Sequence, residues 1–181
     1  MTTLESYQRG LLDLVKSRGT APIDPYLRAV GNSRGIEVVR EIAVWWRAFQ
    51  IASQCPLVSL LLRYHSCLDR TIREYFTSNR TSPFVEELTD HFLAFLGAHA
   101  DPFLRSTAAF ERALLSVRAG SEKTFEIYFD RDPNLAFEAL HKAGSLPGAE
   151  PEFRYRMTVA AHLPNKFCCT RENRPGEAGS G

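Results

Sequence analysis

After Gly120 the apolar residues of this chain stop recurring at helical spacing and begin to alternate. Phe125, Ile127 and Phe129 are interleaved with Thr124, Glu126 and Tyr128, a period of 2 that belongs to a strand with one buried face. Asp132 before Pro133 then opens a short helix carrying Leu135, Ala136, Ala139 and Leu140, and Gly144 ends it. Alternation returns at Phe153, Tyr155, Met157 and Val159 against Arg154, Arg156 and Thr158, and Lys166 to Thr170 is a candidate third strand. A chain with this switch cannot be a helical bundle throughout.

Upstream of the switch the spacing is helical. Leu4, Tyr7, Leu11 and Val15 follow a Thr2/Glu5 capping box and run to Gly19, and the segment 20–34 is read as a loop with at most one short turn around Tyr26 to Val30. Val39, Ile42, Ala43, Trp46, Phe49 and Gln50 trace one stripe, broadened by Val38 and Trp45, so this helix is expected to be buried over much of its girth. Pro56 stops it, and Leu57, Leu61, Tyr64, Leu68, Ile72 and Tyr75 define a second long helix. Ser82-Pro83 and Asp101-Pro102 are start signals for two more, with inward residues Phe84, Leu88, Phe92 and Phe95, then Phe103, Thr107, Phe110, Leu114 and Val117.

The expected class is therefore α+β: an N-terminal helical bundle of about five helices, then a small antiparallel strand–helix–strand unit. The boundaries are 1–120 for the helical domain, 121–170 for the αβ unit, and a mobile tail over 171–181 that is rich in Gly, Pro and Glu.

Charge narrows the partners. Lys and Arg number 22 against 21 acids, a net +1, so no field of one sign is available to steer a polyanion. The apolar run Leu57 to Leu62 is far shorter than the ~20 residues of a membrane span. The N-terminus lacks the basic-then-apolar order of a secretory signal, and a cytoplasmic location with reduced thiols at Cys55, Cys67, Cys168 and Cys169 is expected.

The candidate chemistry is sparse. His65 and Cys67 are two apart on a helical stripe and do not share a face, and His91, His99, His141 and His162 lack ligand spacing. Neither a metal site nor a catalytic residue is assigned, and no cofactor is expected in this chain. Asp101 and Asp132 read as helix caps and Glu111 as a surface residue near Arg112. Two features point outward instead. Trp45 and Trp46 are adjacent, about 100° apart on a helix, so one is a candidate partner contact while core burial is expected for at least one of the two. A small sheet leaves an edge that can take an extended peptide as an added strand. Phe153, Arg154, Tyr155, Arg156 and Thr158 are the candidate peptide-binding residues, the two arginines either attracting acidic side chains or pairing locally with Glu126 and Glu152.

Several segments resemble one family. They are Ile42-Ala43-Val44-Trp45-Trp46-Arg47, the stretch from Phe92-Leu93-Ala94-Phe95-Leu96 through Asp101-Pro102-Phe103-Leu104 to Phe110-Glu111-Arg112-Ala113-Leu114, and Tyr128-Phe129-Asp130-Arg131-Asp132-Pro133 through Phe137-Glu138-Ala139-Leu140 to Leu163-Pro164. In these the chain is similar to accessory subunits that partner multinuclear non-haem iron oxygenases in maturing ribosomal peptides. The resemblance implies a helical domain that docks on the enzyme, and a C-terminal αβ unit that receives the leader of a carrier peptide. Iron would belong to the partner enzyme. The chemistry implied is oxidative β-carbon excision at a C-terminal cysteine of the peptide, as in 3-thiaglutamate biosynthesis. The competing readings are a helical DNA-binding regulator and an independent thiol enzyme using Cys168 or Cys169.

Overall fold

The computed structural model of the chain describes residues 4–15, 24–79 and 84–174. It divides into two compact units, Met1–Gln50 and Ile51–Gly181. The class is α+β, with helices mostly N-terminal and a three-stranded antiparallel sheet at the C-terminal end. Seven helices precede residue 121 among the described residues, two more than expected. The Thr2 cap and the Ser82-Pro83 start signal lie outside the described residues, as does 175–181.

In the first unit α1 spans Leu4–Val15, α2 spans Pro25–Gly31, and α3, Arg34–Gln54, begins here and continues past the boundary. The short turn expected near Tyr26 is α2, a true helix, because Asp24 accepts from the N–H groups of Tyr26 and Leu27 at 2.9 and 3.1 Å while Pro25 supplies a preset φ. Glycines let α1 and α2 approach. A Cβ on Gly10 would meet Leu27 Cδ1 at 2.5 Å, and one on Gly31 would meet Leu14 Cδ2 at 2.9 Å. Arg40 of α3 donates through Nε to the Leu14 carbonyl at 2.8 Å, occupying an acceptor in the last turn of α1.

The second unit contains α4 (Pro56–Tyr64), α5 (Leu68–Ser78), α6 (Val85–Leu96), α7 (Pro102–Arg118), β1 (Phe125–Phe129), α8 (Pro133–His141), β2 (Phe153–Val159), a 3-10 turn at Pro164–Lys166 and β3 (Phe167–Asn173). The helix expected from Leu57 to Tyr75 is thus two. Ser66 takes a φ of 53°, its N–H reaches the Arg63 carbonyl at 2.8 Å, and the Cys67 N–H reaches that of Leu62 at 2.9 Å. This is a Schellman stop made without glycine, which the apolar stripe could not reveal. The stop at Gly120 is the glycine version, φ 95° with Ser121 N–H bonded to the Ser116 carbonyl at 3.0 Å. At the end of α8 the left-handed residue is Ala143, one before the predicted Gly144.

α7 organises this unit. It buries Phe103, Leu104, Thr107, Ala108, Phe110, Glu111, Ala113 and Val117 and packs against α4, α6, β1 and β2. The boundary expected at residue 120 therefore falls inside one compact unit, because the sheet buries its apolar face on a helix from the other side of that line. Phe103, Phe129 and Phe137 meet at ring separations of 5.6 to 6.1 Å, and Phe110 stacks on Phe137 and meets Phe167 edge-on. Each such ring contributes about 1.5–3 kcal/mol by leaving water.

The sheet order is β1-β2-β3, both pairs antiparallel. Register sets Tyr128 opposite Arg156 and Arg156 opposite Thr170. β3 runs to Asn173, so Arg171, Glu172 and Asn173 are strand residues and do not start a tail. Arg171 holds the place, its guanidinium 3.6 Å from the Phe153 ring centroid and 2.8 Å from Glu150 Oε2.

Candidate functional site

Three regions carry candidate function: one face of α3, the outer face and margins of the sheet, and the cysteine pair on β3. Each is built by the local pattern that precedes it.

On α3 the covered side is formed by Ile36 and by half-buried Arg40, Ala43, Val44, Arg47 and Ala48. The opposite side presents Val38, Val39, Ile42, Trp45, Trp46 and Phe49, all exposed. The expectation that this helix is enclosed is corrected here, because its large apolar residues lie on the open side and its small or charged ones on the covered side. Burial of at least one tryptophan is corrected with it, since Trp45 is 64% and Trp46 53% exposed. The rings gather. Trp45 and Trp46 are 6.5 Å apart, and Phe49 stacks at 6.0 and 5.8 Å from them. The sequence named the two tryptophans but took Val38, Val39, Ile42 and Phe49 for core, since a stripe shows amphipathicity without saying what it faces.

Phe153, Arg154, Tyr155, Arg156 and Thr158 all lie on β2. β2 is the central strand, so its backbone is paired on both sides and accepts no further strand. The free margins belong to β1 and β3. Arg154 and Arg156 are turned to the outer face, where Arg154 Nε donates to Glu172 Oε2 at 3.0 Å and its guanidinium lies 4.6 Å from the Tyr128 ring centroid. Arg156 contacts Glu126 at 3.4 Å, and its Nε lies 2.9 Å from Glu172 Oε1 without hydrogen-bond alignment. The local-pairing alternative is what the structure shows, with Glu172 in the place expected for Glu152. Phe153 and Tyr155 alternate to the other face with Met157 and Val159, where Tyr155 donates to Glu150 at 2.8 Å.

Cys168 is exposed and Cys169 partly so, in neighbouring positions of β3. Burial, then the nearby Asp132 and Cys168, push the Cys169 thiol up to about 11. A nucleophilic cysteine needs the reverse shift. Burial and the neighbouring Glu111 likewise raise the Cys55 thiol.

His65 caps the end of α4 with Nε2 3.5 Å from Asp101 Oδ2, and Cys67 precedes α5, buried with Sγ 3.5 Å from the Leu62 carbonyl, so the two lie on either side of the Ser66 stop and not on one helical stripe. Among the described residues no three His, Cys, Asp or Glu side chains gather as a metal-binding group. Asp101 and Asp132 are caps, accepting from Phe103 and Leu104 and from Asn134 and Leu135.

Glu111 is a correction. It is 4% exposed, and its two oxygens accept the N–H groups of Leu57 and Val58 at 2.8 and 3.1 Å, capping α4 from α7. Cys55, at the N-cap of α4, makes no side-chain cap of its own. Burial pushes the Glu111 carboxyl up to about 7 against the lowering pull of those two N–H groups and of Arg118. Its neighbour Arg112 is the surface residue, held by Asp90 at 2.6 and 2.9 Å, a bond that lowers the Asp90 carboxyl below its usual range.

No described helix is long and apolar enough to cross a membrane. No family model, curated protein or solved structure matches the chain.

Proposed function

We propose that this chain is a non-catalytic partner subunit that binds a ribosomal carrier peptide and docks on a multinuclear non-haem iron oxygenase, enabling oxidation of the peptide's C-terminal cysteine. The observation that supports it is the aromatic cluster of Trp45, Trp46 and Phe49 on the open face of α3. Exposed apolar patches of this kind mark interaction sites, and tryptophan is the residue most enriched where binding energy concentrates. The family resemblance supplies the identity of the partner, and the free sheet margins supply a place for an extended peptide. The iron and the oxidation chemistry belong to the other subunit. This chain contributes binding and position.

The test is coexpression with such an oxygenase and capture through a tag on this chain. Wild type is expected to retain the enzyme. Trp45→Glu/Trp46→Glu is expected to weaken the complex by at least about 100-fold, as loss of two central tryptophans does, with an unchanged thermal midpoint because neither ring is core. Failure of wild type to associate, or full association by the double variant, contradicts the reading.

A further inference from the structure

The open face of α3 has the shape of half an interface. At about 100° per residue, Val38, Ile42, Trp45 and Phe49 share one line, Val39 and Trp46 flank it, and all six fall within an arc of about 120°. None of the four charged residues between Gly35 and Gln50, which are Glu37, Arg40, Glu41 and Arg47, lies on that arc. The steps of 4, 3 and 4 residues along the line are those of a seam that packs against another helix.

The two halves of the face differ in height. The half nearer the C-terminus carries the rings of Trp45, Trp46 and Phe49, gathered at 5.8 to 6.5 Å. About two turns away, the half nearer the N-terminus carries only the aliphatic Val38, Val39 and Ile42. A bulky cluster and a low shelf on one face fit each other when a second copy is turned end for end. A twofold axis crossing the helix midway between Ala43 and Val44 sets Trp45 against Ile42 of the second copy, Phe49 against its Val38, and Trp46 beside its Val39. Each layer then joins a large side chain to a small one, which fills the space without voids. The contact is isologous, since residue i meets j while j meets i. A parallel pair in register would instead set Trp45 on Trp45 and Phe49 on Phe49, hold the valines apart, and align the two helix dipoles.

The area is sufficient. Aromatic side chains carry about 150–250 Å² each, and with these three rings more than half open and the three aliphatic residues about half open, the patch presents roughly 600 Å² per copy. Two patches reach the ~1,200 Å² at which specific interfaces become stable.

We propose that, in the absence of another partner, this chain forms a twofold-symmetric dimer through the open face of α3, with the two copies of the helix antiparallel. The inference goes beyond the docking reading above and does not rest on it. Where an oxygenase takes the same face, the two contacts exclude each other, and the enzyme must displace a copy of this chain.

Sedimentation equilibrium of the full chain tests it. The mass is expected to rise with concentration from one chain of 20.4 kDa toward two, with a dissociation constant on the order of 10 μM, the weak end for an interface of this size. Trp45→Glu/Trp46→Glu should weaken association at least about 100-fold. Well below the dissociation constant, where both proteins are monomers, it should melt with wild type. Val38→Cys and Phe49→Cys, each in a Cys168→Ser/Cys169→Ser background that removes the more accessible thiols, read the orientation. Mixed and oxidised, they should cross-link to each other, because that pair shares a layer within disulfide reach. Neither alone should cross-link, since its two copies lie roughly 16 Å apart along the axis.

A mass of one chain at every concentration up to about fifty times that constant would overturn the inference. If the double glutamate variant then still fails to hold the oxygenase, the face belongs to the enzyme alone and the functional reading stands. Association that survives the double variant, or cross-linking within either single variant, would overturn the antiparallel α3 contact. Dimerisation as described, together with failure to hold the oxygenase, supports the inference and counts against the functional reading alone.

Discussion

Phe103→Ala is expected to lower the unfolding free energy by about 3–5 kcal/mol, the cost of emptying a phenylalanine site in a packed core. Phe103 is 1% exposed. Its ring meets Phe129 edge-on at 5.6 Å and Phe137 at 6.0 Å, while the Arg131 guanidinium lies 5.0 Å from its centroid. These contacts join α7 to β1 and to α8, so the cavity opens where the helices meet the sheet and cannot be closed by a shift of one element. Stabilities of ordinary domains are only about 5–15 kcal/mol, and the variant should sit close to the threshold of folding. Urea denaturation at constant m-value measures it. A loss below about 1 kcal/mol would mean that the ring is not the core contact described, since even one buried methylene contributes nearly that much.

The second large effect concerns Glu111. Removing its carboxyl strands the part-buried Leu57 and buried Val58 N–H groups at the start of α4, and a buried donor left unsatisfied costs about 1–3 kcal/mol. Glu111→Ala is expected to cost about 3 kcal/mol, and Glu111→Gln, which keeps one acceptor oxygen, about 1 kcal/mol. The pH dependence has a definite sign. The carboxyl is raised by burial from 4.5 to about 7, so the folded state holds its proton more tightly than the unfolded chain. Its contribution is full below the unfolded value and is lost as pH rises through about 7. Wild type should therefore lose stability between pH 5 and pH 7, by at most about 1.4 kcal/mol per pH unit, relative to Glu111→Gln, which has no proton to lose there. Parallel pH profiles for the two proteins would contradict this account of the buried carboxyl.

Much of the fold was legible because it rests on local signals. The change of period after Gly120, the Asp-Pro starts at 101 and 132, and the alternation over Phe153 to Val159 each report a local preference that tertiary packing kept. The break at Ser66 was not legible, because a left-handed stop made by serine leaves no glycine to see. Nor was the role of Glu111, whose partners are 54 and 53 residues away. The candidate surface was half legible. Trp45 and Trp46 were picked out as adjacent, but which side of α3 is open depends on what covers Arg40 and Ala43, and spacing within one helix carries no such information. The five candidate peptide-binding residues lie on the central strand and not at a margin, a placement no single strand reveals, since strand order is set by long-range pairing rather than by the pattern of any one strand. Glu172 and Arg171 were assigned to a tail for the same reason: their strand character comes from pairing with Arg154 and Tyr155.

Under the proposed function this chain delivers a peptide to another subunit. The direct measurement is single-turnover modification of the carrier peptide by the iron oxygenase, followed by mass spectrometry, with this chain, without it, and with Trp45→Glu/Trp46→Glu in its place. The account predicts modification only with the wild-type chain, and a rate with the double variant that recovers when its concentration is raised. Equal turnover by the oxygenase alone, or turnover by this chain without the oxygenase, would contradict it.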